Sequence, residues 1–122
     1  MRKTFLALSI LILLTSISIA CENTTVSSIN ANASEFEGKE VCVEGSVSEL
    51  EFKTSKKGDP YTTFSVNDEY LQSLTVHSLG SLQIKEGDKV KVTGKYDVVK
   101  RVGIITYRYY NAIDASSVEN LQ

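Results

Sequence analysis

Few residues in this chain of 122 could carry out chemistry. It has one histidine, His77, and two cysteines, Cys21 and Cys42. These three cannot supply the four ligands of a zinc finger at the required spacing. No Ser/His/Asp set with an identifiable partner for the lone histidine is present, and no helical metal motif. The seven glycines are scattered over strand bends and turns, so no glycine-rich phosphate loop exists. The expectation is a chain that is not an enzyme and needs no cofactor or metal, with His77 read as an exposed strand residue. What remains is binding chemistry, concentrated in two basic clusters: Lys53, Lys56 and Lys57, and then Lys100 and Arg101.

The overall charge limits what those clusters can do. The full chain carries 13 Lys and Arg against 15 Asp and Glu. Arg2 and Lys3 lie in the leader described next, and without it eleven bases face fifteen acids, a net charge of −4. A globally basic nucleic-acid binder is excluded, and an anion would have to be held by a local patch.

Residues 1–20 read as a secretory signal peptide: Met1-Arg2-Lys3, an apolar run from Phe5 to Ile19, then Ser18-Ile19-Ala20 with small residues at the cleavage positions. The run is about 15 residues, short of the roughly 20 that cross a bilayer. Cys21 follows directly, which resembles the lipobox of bacterial and archaeal lipoproteins, with Ser18 where that family usually has an aliphatic. The resemblance implies acylation of Cys21 and a lipid anchor in the membrane. The alternative is simple cleavage after Ala20, leaving Cys21 to pair with Cys42 in a disulfide worth about 3 kcal/mol in an oxidising compartment. The two fates exclude each other. Residues 21–35 are small and polar and read as a flexible tether, with Ile29 the one residue that could dock. Asn23-Thr24-Thr25 and Asn32-Ala33-Ser34 fit the N-glycosylation pattern, a weak signal.

Beyond residue 35 the hydrophobic period is two. Val41, Val43, Gly45 and Val47 share one face of a strand of about ten residues, with Gly45 marking a bend or close approach. Lys53 to Pro60 is a polar loop. A second strand spans 61–66 with Thr62, Phe64 and Val66 on one face, and a third spans about 70–78. After the turn Lys85-Glu86-Gly87-Asp88 comes a fourth strand, 89–96, with Val90 and Val92 inward and Lys89, Lys91 and Lys95 outward. A fifth runs from about Gly103 to Ile113. In it Tyr107 and Tyr109 share one face and Arg108 and Tyr110 the other, one pair against the core. Five strands without a long amphipathic helix indicate an all-β barrel or small sandwich.

Three segments in order carry a resemblance: Gly38 to Val47, Tyr61 to Asp68, and Lys85 to Gly94. They resemble the first, second and fourth strands of an OB-fold domain of the nucleic-acid-binding, tRNA-anticodon-like type. The resemblance implies a five-stranded Greek-key barrel over 36–122, with a connector between strands three and four too short for the usual helix. It also implies a ligand face on strands two and three, flanked by the loops joining strands one to two and four to five. On this chain that face would comprise Lys53, Lys56, Lys57, Tyr61, Thr63, Thr75, Lys100 and Arg101. Tyr61 would be a stacking platform and the bases would contact anions, with single-stranded nucleic acid or another oligomeric anion as the implied partner. The chain also resembles bacterial periplasmic OB-fold proteins linked to stress tolerance in size and leader. That kinship implies an envelope protein whose barrel binds a protein, a glycan or a small cation.

Overall fold

The computed structural model describes residues 21–101, 104 and 107–122; of Arg101 and Tyr107 only the backbone is described. The expected signal peptide lies outside the described residues. The element order is β1 (Glu22–Asn23), α1 (Val26–Ala31), α2 (Ala33–Phe36), β2 (Glu40–Thr54), β3 (Pro60–Asn67), β4 (Ser73–Leu79), β5 (Lys89–Arg101) and β6 (Tyr107–Asn120).

Five of these strands close a ring. β2 pairs antiparallel with both β3 and β5, β3 with β4, and β5 with β6, while β4 and β6 run parallel. This is the OB-fold barrel. β1 adds a sixth, two-residue strand, parallel to β2 at Val41 and Cys42. The inward valines that the alternation picks out, Val41, Val43, Val47, Val66, Val90 and Val92, all lie in the core, with Val76, Phe64, Leu74, Tyr96 and Ile113. Gly45 and Gly94 mark where strands press backbone to backbone. A Cβ on Gly45 would lie 2.3 Å from the Asn67 carbonyl oxygen, and one on Gly94 2.2 Å from that of Asp114. Both distances are below any tolerable contact, so only glycine fits.

The flexible tether expected at 21–35 is corrected. These residues form β1, α1 and most of α2, and Val26 and Ile29 are completely buried in the core. Thr25 caps α1, its hydroxyl accepting from the Ser28 amide at 3.0 Å. Asp68, in the β3–β4 turn, accepts from the Ser27 amide and hydroxyl, and Asn30 donates to Gln72 and to the Ser73 carbonyl. A polar composition hid a helix whose two apolar residues, three apart, plug the barrel where β3 turns into β4. The 80–88 connector holds no helix and packs Ile84 inward, so α1 supplies helical cover from the other side in sequence.

Strand lengths differ from the periodic reading. β2 has 15 residues and continues past a bulge between Ser48 and Glu51, where Glu49 has φ 52°. β6 extends to Asn120 because Ser117 to Asn120 complete the ladder with Val90 to Thr93, although their composition does not alternate.

Candidate nucleic-acid interface

The outer face of β3, β4 and β6 is arranged in cross-strand rows. Lys53, Tyr61 and Leu79 form one row; Glu51, Thr63, His77 and Asp114 form the next; Ser65, Thr75 and Ala112 form a third. A cleft of about 490 Å³ opens over the first two rows, lined by Ser55, Asp59, Pro60, Tyr61, His77, Ser78, Leu79, Tyr110, Asp114 and Ala115. The floor is largely aromatic and aliphatic. Ser55 and Asp59 bring the β2–β3 loop to one side. On the other, the Lys100 ammonium lies 2.7 Å from the Asp114 carboxylate and 4.4 Å from the centre of the Tyr110 ring. Residues flanking two separate loops therefore meet at one cleft.

His77 and Tyr110 make the centre. Their rings stack at 5.2 Å with 23° between planes. The Tyr110 hydroxyl donates to Asp114 at 2.6 Å, and burial together with that bond pushes the phenol far above its ordinary value. Asp114 accepts from both Tyr110 and Lys100. Burial alone would raise its carboxyl, but these donors outweigh burial and hold it below its ordinary range. His77 is held below the usual imidazole value, first by burial and then by Lys100 and Lys53, against the opposing pull of Asp114.

The structure sorts the sequence-predicted residues. Tyr61 lines the cleft; Lys100 does not, but contacts the lining residues Tyr110 and Asp114, and Lys53 stands across the ladder from Tyr61 while bridging Glu51 at 3.1 Å. Lys56 and Lys57 are exposed on the loop and do not line the cleft. Thr63 faces outward but is only 8% exposed; it lines a separate depression with Glu49, Glu51 and Thr75. Thr63 is thus not the open contact expected of it; it pairs with Glu51 just past the β2 bulge. Thr75 is exposed, beside the cleft rather than in it. The Arg101 side chain lies outside the described residues. Cys21, expected as an acylation site, has its sulfur bonded to Cys42, the alternative fate, with Cα atoms 5.6 Å apart.

Sequence reasoning missed the site roles of His77, Tyr110 and Asp114. The expected sharing of Tyr107–Tyr110 between core and exterior also differs: Tyr109 is 72% exposed and Tyr110 lies on the outer face against His77. Asn111, at φ 46°, breaks the strand alternation between them and the buried Ala112 and Ile113. The lone signal was the density of aromatic and basic residues from 107 to 110.

No protein-family profile matches the sequence, and no curated protein matches it. Solved structures do match. An aspartyl-tRNA synthetase from Leishmania major Friedlin aligns with 88% of this chain at a TM-score of 0.61 and 14% identity. The chain spans only 22% of that protein. A small single-stranded DNA-binding protein from Streptomyces coelicolor aligns over 68% of this chain and 92% of its own, at a TM-score of 0.50 and 21% identity. At these identities the likeness establishes the fold, an OB-type barrel.

Proposed function

We propose that this chain is a non-enzymatic binding module that takes single-stranded nucleic acid, or a chemically similar oligomeric anion, across the outer face of β3, β4 and β6. One observation carries the reading: the rings of Tyr61, His77 and Tyr110 line one cleft, and the Lys100 ammonium lies over the Tyr110 ring. Planar rings stack on such a floor at about 1–3 kcal/mol per base. The similarity to two proteins named for tRNA charging and for single-stranded DNA binding points the same way.

The charge pattern makes stacking the main term. Of the five expected bases, Lys53 and Lys100 already hold carboxylates, which leaves at most three for phosphates. Fluorescence anisotropy with labelled single-stranded DNA and RNA at two salt concentrations should give binding with a log–log salt slope no steeper than about −2. A slope near −3.5 would mean that all five bases engage. No binding at low salt removes nucleic acid and leaves the second reading, an envelope barrel for a protein, glycan or small cation. The net charge of −4 beyond residue 20 favours that reading.

Export follows from the leader pattern, and a disulfide belongs in an oxidising compartment. A sulfur in a disulfide cannot also carry a thioether-linked lipid. The exported form that fits is therefore the cleaved, disulfide-bonded protein rather than a lipid-anchored one. Intact mass of the protein from its host decides this: loss of two hydrogens on Cys21 and Cys42 supports it, and a diacylglyceryl adduct on Cys21 overturns it.

A further inference from the structure

We propose that His77 takes up a proton when a phosphate-bearing ligand enters the cleft, so that this face binds anions more tightly as the pH falls. The inference rests on the reading of the cleft given above and adds a proton-coupled contact to it.

The geometry isolates His77 as the group able to change charge there. It sits in mid-strand on β4, paired across the ladder with Thr63 of β3 and Asp114 of β6, half-buried, its ring on Tyr110 and lining the cleft. The charged and titratable groups around it are Glu51 and Lys53 of β2, Asp59 of the β2–β3 loop and Tyr61 of β3. Lys100 of β5 and Tyr110 and Asp114 of β6 complete the set. Most are committed: Glu51 holds Lys53, and the two oxygens of Asp114 accept from Tyr110 and Lys100. Asp114 is the carboxylate beside His77 across the ladder, and each of its oxygens already accepts one hydrogen bond. Burial first, and then the two nearby lysines, hold the imidazole below its ordinary value against the pull of Asp114.

A phosphate brought against that ring reverses the balance. An opposite charge within about 4–6 Å raises a histidine by roughly 1–2 pK units. By linkage the protonated protein then binds the anion about 10- to 100-fold more tightly than the neutral one. The gain appears as the pH falls through the imidazole range, and it is absent above it.

The test uses an oligothymidylate carrying a rhodamine label, since thymine and phosphodiester do not titrate between about pH 5 and pH 8, where His does. Anisotropy at constant ionic strength should show Kd falling by about 10- to 100-fold from the upper to the lower pH. Calorimetry in buffers of different ionisation enthalpy should show net proton uptake on binding. His77→Phe keeps an aromatic ring without a titrating proton, and its Kd, whatever its absolute value, should not change with pH. His77→Gln, with folding checked by circular dichroism, serves as a second variant. A pH-independent Kd in the wild type, or the same pH slope in both variants, overturns the proton coupling while leaving the cleft reading intact. Absence of binding at every pH overturns the cleft reading itself, and the coupling with it.

Discussion

Asp68 shows how much one side chain can organise. Its two oxygens accept from the Tyr70 and Gln72 amides at 3.0 Å and from the amide and hydroxyl of Ser27, tying the β3–β4 turn to the start of α1. Burial is the largest single influence and raises its carboxyl, but the four donors together outweigh it and hold the group below its ordinary value. A lowered carboxylate contributes stability that is present above its unfolded pKa and is lost as the pH falls through the folded one. Thermal melts of Asp68→Asn should therefore lie below wild type at neutral pH, with the gap closing toward about pH 3. A gap that is constant with pH would contradict the assignment. In the cleft, Tyr61→Ala should weaken single-strand binding by about 1–3 kcal/mol, roughly 5- to 150-fold, in the same anisotropy assay. Unchanged affinity would mean that Tyr61 merely packs against the loop. Tyr61 was legible from its place on an outward strand position. His77 and Asp114 were not, because their partnership depends on the parallel register of β4 with β6, which no local pattern encodes.

Elements tell the same story at larger size. The strands with clean alternation, from Val41 to Val47 and from Lys89 to Lys95, were readable because a two-residue period leaves little alternative when one face is buried. α1 was not readable: six residues containing only two large apolar side chains resemble a tether in composition. Their burial is nonetheless complete, so Ile29→Ala should cost about 2–4 kcal/mol of stability in denaturant unfolding. A loss under about 0.5 kcal/mol, the usual range for surface changes, would restore the tether. The disulfide closes the loop that contains this helix, joining the residue before β1 to β2 and so limiting how far the N-terminal segment can stray when the chain unfolds.

For the whole molecule, the closed ring explains why so small a sheet can leave an outer face of rings and uncharged polar groups open. Closure leaves few unpaired edges, so the outward positions of β3 and β4 can carry rings and polar groups rather than charges that ward off aggregation. A second groove, of about 420 Å³, lies over β2 and β5 and is lined by Glu44, Lys89, Lys91, Glu69 and Tyr70 among others. It gives an internal control for where a ligand sits. The most direct measurement is amide chemical-shift perturbation in the folded, oxidised protein on titration with oligothymidylate. Shifts concentrated at Tyr61, His77, Leu79, Tyr110 and Asp114, with Glu44, Lys89 and Lys91 unmoved, are the predicted result. Shifts confined to the β2–β5 groove, or none at saturating oligonucleotide, would contradict it.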